Sequence, residues 1–355
     1  MTDSGARRAT GRHGTPVMMD VAALAGVSYQ TVSRVINDQP GVRASTRERV
    51  LAAMRELGYR PSPAARSLAS GRSRTIGIVT IGTDLYGPTT TLRGVEAAIR
   101  GAGYTVSTES LSRFDRASAL AAVERMTAQR VEGILAIDPE VDAAAALRVL
   151  PPTVPLMVLR GGLDAVAAGV QFDSTAGAHN AVRHLLDLGH PTVRHLAGPL
   201  RFEAARSRVR GWRAALEEAG APIHEPLQGD WSARSGYATG QVLAADPDVS
   251  AVFAANDQMA VGLIRALYEA GRTVPGDVSV IGFDDIPEAA YLVPPLTTLR
   301  QDFIDEGRRA VAMLLAQIEH PGAAEPIPVR MVPDLIVRSS TGRYTPRPAP
   351  GGSPQ

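Results

Sequence analysis

Apolar residues near the start of the chain recur at intervals of three and four positions, the spacing of one face of a helix. Three segments show this pattern: 19–26 ("MDVAALAG"), 29–36 ("YQTVSRVI") and 45–59 ("STRERVLAAMRELGY"). Ser28 and Ser45 stand where capping residues of the second and third helices are expected. The apolar faces consist of Val21, Leu24 and Ala25 in the first helix, Val32, Val35 and Ile36 in the second, and Val50, Leu51, Met54 and Leu57 in the third.

The first two helices meet at a tight turn containing Gly26, an arrangement that predicts a helix-turn-helix DNA-binding domain over residues 17–60. The charge distribution agrees with this prediction. Residues 1–75 carry twelve arginines and five acidic residues, a balance of +7, whereas the other 280 residues carry 25 arginines and 31 acidic residues. A basic segment on a mildly acidic body favours a polyanion as its partner. A solvated, arginine-rich helical hairpin is the alternative interpretation.

Farther along the chain, short β-rich runs alternate with helical segments that end at glycine. The runs lie at 75–81, 104–110, 131–137, 154–160, 168–172, 192–198, 250–256 and 277–283, and clear helical segments lie at 92–103, 181–189 and 260–271. Strand followed by helix, repeated about eight times, predicts parallel doubly wound sheets. Residues 75–340 are long enough for two such lobes, and the expected pocket is the cleft beyond the carboxyl ends of their strands.

Both ends of the chain are expected to lie outside the folded part. Residues 1–16 are polar and basic, with no apolar stretch of the kind found in a secretion signal, and residues 341–355 are rich in proline and glycine. We therefore expect disordered tails at 1–16 and 341–355. No apolar run approaches 18 residues and the chain has no cysteine, so the sequence predicts a cytoplasmic protein without membrane spans or disulfides.

Motifs for enzymatic chemistry are missing from the sequence. There is no Walker loop, no G-x-S-x-G elbow, no strand-to-helix G-x-G-x-x-G and no H-E-x-x-H pair among the seven histidines. We therefore predict no catalytic residues, no metal site and no cofactor. A secreted binding protein could have the same two lobes, but it would lack the basic N-terminal helices.

Several motifs, in order along the chain, resemble those of the LacI-type bacterial transcription regulators. They are "DVAALAGVSYQTVSRVIN", "AARSLA", "AGP", "RVRGW", "GDWSARSGY", "ANDQMAVG", "VIGFDD" and "PPLTTLRQDF", and the likeness extends from residue 18 to about 340. The resemblance implies an all-α helix-turn-helix domain followed by two α/β lobes of periplasmic-binding-protein type, joined by a hinge helix and linker at 61–74. It also implies a homodimeric repressor of sugar-utilisation genes that binds a palindromic operator and is released by a sugar, such as a galactoside.

Residue roles on the DNA side follow from the same resemblance. The base-reading residues would be Tyr29, Gln30 and Arg34; the phosphate contacts Ser28, Ser33, Asn37 and Thr46; and the minor-groove residues of the hinge helix Ala65 and Leu68. Gln pairs bidentately with adenine and Arg with guanine. Two alternatives remain: Tyr29 could pack under the third helix, and Leu68 could cover the lobe below it. Val17 stands where the family has a capping threonine, so the first helix is expected to fray.

Roles in the effector pocket are carried over in the same way. The effector-binding residues would be Tyr86, Pro88, Arg160, Arg208, Trp231, Asn256, Asp284, Gln301 and Phe303. Arginine and carboxylate suit vicinal hydroxyls, and the tryptophan would offer its face to a sugar ring. The alternatives are a cap or an interlobe salt bridge for Asp284, and a core position for Trp231.

Two positions of the pocket depart from the pattern of galactoside-responsive family members. Galactoside-responsive members of the family carry an aspartate and a serine where this chain has Arg160 and Ile81. Arg160 could favour another hydroxyl pattern or an acidic sugar. A regulator co-repressed by a purine or another small metabolite is the alternative function. The C-terminal segment has no leucine heptads, so we expect a dimer rather than a tetramer.

Overall fold

The computed structural model describes residues 16–37, 39–59, 72–150, 154–160, 169–322 and 329–346. The chain divides into two compact units, Met1–Ser73 and Arg74–Gln355. Each unit has its own hydrophobic core.

The N-terminal unit consists of three helices around a small core. They are α1 (Met18–Ala25), α2 (Tyr29–Ile36) and α3 (Ala44–Glu56). Val21, Val32 and Val50, one from each helix, are fully buried and pack together. The predicted helix-turn-helix order is therefore confirmed. Two residues assigned to the apolar faces differ: Leu24 is 46% exposed and Leu51 is 40% exposed, because each lies at the edge of its face.

The helix starts follow the local hydrogen bonds. Ser28 Oγ accepts the Thr31 amide proton at 3.2 Å, which confirms the predicted cap of α2. The assignment of Ser45 as the cap of α3 is wrong, because this helix already begins at Ala44, with Arg43 in the cap position and no side-chain cap. Val17 likewise supplies no capping side chain to α1, but its backbone N–H donates to Asp20 Oδ2 at 2.9 Å.

The first lobe of the larger unit is built on a parallel sheet of four strands. In chain order, its elements are β1 (Thr75–Ile81), α4 (Tyr86–Gly101), β2 (Thr105–Leu111), α5 (Arg116–Ala128), β3 (Gly133–Ile137), α6 (Val141–Arg148) and β4 (Leu156–Leu159). The strand order is β2-β1-β3-β4, and every pair is parallel. A further strand, β5 (Val170–Phe172), completes this half of the chain.

The second lobe repeats the design. Its elements are α7 (Ser174–Asp187), β6 (Arg194–Ala197), α8 (Glu203–Glu218), β7 (Leu227–Gln228), α9 (Ala233–Ala245), β8 (Ala251–Ala254), α10 (Asp257–Glu269), β9 (Ser279–Ile281) and a 3₁₀ turn at Pro287–Tyr291. The parallel strands lie in the order β7-β6-β8-β9. Two doubly wound parallel-sheet lobes, as predicted, are therefore confirmed.

The last part of the chain returns to the first lobe and then to the second. Strand β10 (Thr298–Arg300) lies in the second lobe, α11 (Phe303–Glu319) packs on the first, β11 (Val329–Met331) pairs with β5, and β12 (Asp334–Ile336) pairs antiparallel with β10. The lobes are thus linked at three crossings, after β5, β10 and β11. All eight predicted strands are present, and β7, β10, β11 and β12 are additional.

The folded part of the chain extends farther towards the C-terminus than the sequence predicts. Thr341 Oγ1 lies 3.0 Å from His184 Nε2, and the Tyr344 amide N–H donates to the Leu188 carbonyl at 2.9 Å. The expected tail at 341–355 therefore starts too early, since these residues hydrogen-bond to the second lobe. Within the described residues, no helix is long and apolar enough to cross a membrane.

Candidate functional site

The first candidate surface is the exposed side of α2 in the N-terminal unit. Tyr29 is 53% exposed, so its alternative role as a packed aromatic under α3 is wrong. Gln30 and Arg34 are also exposed and, four residues apart, lie on the same side of the helix. The buried side is formed by Val32 and Val35. The helix therefore presents an aromatic, an amide and a guanidinium group together.

The remaining residues assigned to DNA lie in or next to α2, in α3, or outside the described residues. Ser28 is exposed and caps α2, while Ser33, Asn37 and Thr46 are half-buried. Asn37 Nδ2 donates to Ser33 Oγ at 3.4 Å, so these two polar groups are adjacent. Ala65 and Leu68, assigned to the hinge, lie outside the described residues.

The second candidate site is a small cavity in the cleft between the two lobes of the larger unit. Its volume is about 30 Å³, and it is lined by Arg160, Gln171, Phe172, Ser174, Glu203, Ala204, Ser207, Arg208 and Gln301. A volume of this size holds about two water molecules. Three of the nine effector residues assigned from the sequence line it directly, namely Arg160, Arg208 and Gln301.

Arg208 projects from α8 and is the most extensively bonded of these three. Its guanidinium donates to Asp284 Oδ1 at 3.4 Å, to Gln301 Oε1 at 3.3 Å and to the carbonyl oxygen of Ala255. The Cζ atom lies 3.9 Å from the ring centroid of Phe283, and the whole residue is 5% exposed. Its orientation in the cleft is therefore fixed by the protein.

Asp284, which follows β9, forms a buried ion pair with Arg208. Burial raises the pKa of Asp284 to about 6, although the charges of Arg208 and Arg160 oppose this rise. Burial also lowers the pKa of Arg208, against the attraction of Asp284. For both groups the loss of hydration outweighs the attraction of the partner. Both residues belong to the second lobe, so this pair differs from the interlobe salt bridge that was the alternative for Asp284.

Arg160 follows β4 and is held by residues of the first lobe. Its NH2 atom lies 2.7 Å from Thr91 Oγ1 and 3.4 Å from Glu306 Oε2. The side chain of Glu306 is fully buried, and burial raises the pKa of this carboxyl against the charge of Arg160. Arg160 was assigned from the sequence, whereas Glu306 was not.

Two of the predicted effector residues also stabilise the fold. Trp231 is 8% exposed and belongs to the core of the second lobe, and a Cβ on Gly198 would lie 2.2 Å from its ring. One face of the indole is thus covered by backbone, as the core alternative expected. Asn256 caps α10 through Met259 N at 3.0 Å, and its Nδ2 donates to Trp231 O at 3.0 Å and to Gln258 Oε1 at 2.7 Å.

The apolar wall of the cleft is a small aromatic cluster. Phe303 makes edge contacts with Tyr86 at 5.7 Å and with Phe172 at 5.6 Å between ring centroids. Pro88 is buried in the first turn of α4, close to this cluster in sequence. The structure therefore brings Tyr86 and Phe303 together and adds Phe172.

Several cleft residues were missed by the sequence reasoning. Glu203, Ser207, Gln171 and Ser174 line the cavity, and Asp138 contributes a buried Oδ1 that has no hydrogen-bond partner among the described residues. Burial raises the pKa of Asp138, while Arg160 and Arg208 lower it. A signal for Asp138 was available, because it directly follows the buried strand β3 at the carboxyl edge of the sheet.

No group of three or more metal-binding side chains occurs within the part of the chain that the structure describes. The arrangement in the cleft consists of paired charges, amides, hydroxyls and aromatic rings. Such a set can hold a small polar molecule by hydrogen bonds and ring contacts.

The chain is similar to known proteins over most of its length. Residues 17–62 match the family "Bacterial regulatory proteins, lacI family", and residues 182–341 match the family "Periplasmic binding protein-like domain". The lactose operon repressor of Escherichia coli (strain K12) is 38% identical over 300 residues, covering 84% of this chain and 83% of the relative.

A repressor with a different name is similar to this chain at a comparable level of sequence identity. The HTH-type transcriptional repressor PurR of Haemophilus influenzae is 34% identical over 328 residues, covering 90% of this chain and 97% of the relative. Among solved structures, the lac repressor dimer bound to operator and the anti-inducer ONPF aligns with a TM-score of 0.87 and 34% identity, covering 93% of this chain and 100% of that one.

Proposed function

Since the chain belongs to the lacI family of bacterial regulatory proteins and is a DNA-binding transcriptional repressor, we propose that it is controlled by a small saccharide bound between its two core lobes. Members of this family regulate transcription, and the chain is therefore not an enzyme. The regulated genes on this proposal serve sugar utilisation, and the effector is a galactoside or a related saccharide.

The observation that carries the proposal is the Arg208–Asp284 pair at the cleft, with Gln301 beside it. A guanidinium donates hydrogen bonds, a carboxylate accepts them, and an amide does both, so the three together can bind vicinal hydroxyls. The rings of Phe172 and Phe303 supply the apolar surface that a pyranose ring packs against.

The size of the cavity supports a mechanism. At about 30 Å³ it has room for about two water molecules, and in this proposal the lobes therefore move apart when a saccharide binds. A ligand that binds only the wider cleft shifts the protein towards that state. We propose that this change reaches the DNA-binding unit through the hinge and linker at 61–74. Ala65 and Leu68 of this hinge are proposed to contact the minor groove of the operator.

On the DNA side, α2 is proposed to be the recognition helix. Tyr29, Gln30 and Arg34 are assigned to base edges, because they are exposed on a helix whose opposite side forms the core. Phosphate contacts are assigned to Ser28, Ser33, Asn37 and Thr46.

A homodimer is part of the proposal. An eight-residue recognition helix reads only a few base pairs, so specificity for a palindromic operator requires two copies related by a twofold axis. The similarity to the lac repressor dimer bound to operator supports this arrangement.

Calorimetry on the purified full-length chain tests the effector class. We expect a neutral mono- or disaccharide to bind the wild type, and binding to weaken by about tenfold or more in Asp284→Asn, because the strong acceptor at the cleft is lost. Purine bases are the competing panel, since the similarity to PurR keeps co-repression as an alternative. Binding of purines, with no binding of saccharides, would contradict the saccharide effector and favour that alternative.

A further inference from the structure

A fully buried carboxylate lies behind one wall of the effector cleft. We propose that Glu306 is a specificity-determining residue that holds the Arg160 guanidinium in place and cancels its charge, so that the cleft accepts uncharged hydroxylated effectors and rejects their carboxylate-bearing counterparts. This inference rests on the proposed function, because it concerns the charge of the effector that the same cleft binds.

The first support is a closed triangle of hydrogen bonds in the first lobe. Arg160 NH2 donates to Thr91 Oγ1 at 2.7 Å, Thr91 Oγ1 donates to Glu306 Oε2 at 3.0 Å, and Arg160 NH2 lies 3.4 Å from the same Glu306 oxygen. The side chains of Arg160 and Glu306 are 12% and 0% exposed. A pair this deeply buried is weakly screened by solvent and salt.

The second support is the packing that fixes the guanidinium group. Arg160 Cζ lies 4.5 Å from the ring centroid of Phe303, and a Cβ on Gly87 would lie only 2.7 Å from Arg160 NH1. Phe303 and Glu306 are three residues apart on α11 and therefore lie on the same side of that helix. One helix thus supplies both the ring beneath the guanidinium and its counter-charge.

The third support is the balance of charge around the cavity. Each charged group that lines the cavity already has a partner of opposite charge: Arg160 has Glu306, Arg208 has Asp284, and Glu203 has Arg210. The cavity can therefore bind a ligand through hydrogen bonds rather than through an unpaired charge, and hydrogen bonding suits hydroxyl groups.

An incoming carboxylate would be poorly accommodated in these surroundings. It would lose its hydration and compete with Glu306 for a cation that is already paired, with the buried carboxyl of Asp138 close enough to influence Arg160 as well. An acidic sugar was one expectation for Arg160 from the sequence, and the pairing with Glu306 argues against it.

Paired sugars test the proposal. Affinities are measured at constant ionic strength for neutral sugars and their acid counterparts: galactose with galacturonate, glucose with glucuronate, and lactose with lactobionate. The wild type should favour the neutral member by at least about tenfold. In Glu306→Gln, which keeps the shape of the side chain and removes its charge, Arg160 becomes available to the acid. The ratio of the Kd for the acid to the Kd for the neutral sugar should therefore fall by at least about tenfold.

Asp305→Asn is the matched control. Asp305 is the adjacent residue on α11 and gives the same change in formal charge, but it pairs with Arg308 and Arg309 rather than with Arg160. The ratio of acid Kd to neutral-sugar Kd in Asp305→Asn should equal that of the wild type. The proposal is overturned if the wild type prefers the acid, if Glu306→Gln keeps the wild-type ratio, or if Asp305→Asn changes it equally.

A second measurement does not depend on the identity of the effector. Thermal unfolding is followed in formate and in chloride at equal ionic strength, with Glu306→Ala, Asp305→Ala and the wild type. Formate should raise the Tm of Glu306→Ala alone, because it can occupy the space beside Arg160. If neither the neutral nor the acidic sugars bind the wild type, the proposal of a saccharide effector is wrong. The effect of formate on the Tm then tests the role of Glu306. The absence of a selective formate effect then overturns it.

Discussion

Glu140 of the first lobe and Phe202 of the second are partners in an antiparallel β-bridge across the cleft. Beside it, the Val141 amide N–H donates to the Arg201 carbonyl at 2.9 Å. Glu140 Oε1 also lies 3.4 Å from Nε of both Arg113 and Arg201, and its side chain is only 5% exposed. The lobes are therefore joined here in addition to their three chain crossings.

A disulfide across this bridge should hold the cleft closed. The chain has no cysteine, and bridge partners have Cα atoms about 4.5–5.5 Å apart, within the range of a disulfide. We expect the oxidised Glu140→Cys/Phe202→Cys double variant to bind no saccharide, because the disulfide prevents the lobes from widening the cavity of about 30 Å³. Reduction should restore binding in calorimetry.

The single variant Glu140→Cys is the control and should not respond to oxidant. If the oxidised double variant bound saccharide as tightly as the reduced one, opening of the cleft would not be required for binding.

The buried Asp284 predicts a pH dependence of stability. Its pKa is raised from 3.8 to about 6, so the folded core binds more protons than the unfolded chain between these values. The free energy of unfolding should therefore fall as pH rises from about 4 to about 6, by up to about 3 kcal/mol from this group, and then level off.

The measurement is denaturant unfolding at several pH values. Both tryptophans, Trp212 and Trp231, lie in the larger unit, so their fluorescence reports on that unit. Asp284→Asn should show a shallower slope over this range. Some slope should remain, because burial also raises the pKa of Asp138 and Asp257. Identical slopes in the variant and the wild type would contradict the role assigned to Asp284.

The close packing of α7 and α8 depends on Gly211. A Cβ at this position would lie 2.1 Å from the Thr175 carbonyl oxygen and 2.9 Å from the His179 amide nitrogen. Gly211→Ala should therefore destabilise the larger unit by about 1–3 kcal/mol or more, because one helix must shift. Gly101→Ala, at the end of α4 with nothing within 4 Å of the added Cβ, is the control and should be neutral or slightly stabilising. Equal effects in tryptophan-monitored unfolding would contradict this packing argument.

The base-reading assignment of α2 can be tested at Gln30. Gln30→Ala should lower the ratio of operator to scrambled-DNA affinity by about 1–3 kcal/mol in free energy, because a bidentate contact to a base is lost. Gln39→Ala removes the same amide from an exposed position beyond α2 and should leave the ratio unchanged. Fluorescence anisotropy at fixed salt measures both. An unchanged ratio in Gln30→Ala would remove the role assigned to this residue.

Local signals in the sequence were sufficient for much of the fold. The cap at Ser28 and the eight main strands could be recognised from short-range patterns. Strands β7, β10, β11 and β12 could not, because they have only two or three residues and, unlike the equally short but fully buried β5 and β9, they are partly exposed and show no apolar run. The start of α3 was misplaced because Ser45 resembles a cap equally well one position inside the helix.

The cleft shows a similar division. The resemblance placed Arg208 and Asp284 in one site, although they are 76 residues apart in the chain. Glu306 escaped notice because a glutamate in an amphipathic helix usually faces solvent, and only the tertiary fold brings it to Arg160, 146 residues away. The resemblance also placed Trp231 in the site, but the sequence could not reveal that the backbone at Gly198 lies against one side of its ring while Arg208 Cζ lies 5.4 Å from the ring centroid.

The central claim is that a saccharide in the cleft weakens operator binding. The most direct measurement is the Kd of the purified full-length chain for the DNA upstream of its own gene, at constant salt, with and without each sugar of a neutral panel. We predict that at least one sugar raises this Kd by about tenfold or more, a typical coupling between two sites. A Kd that no saccharide raises, or that saccharides lower, would contradict the account.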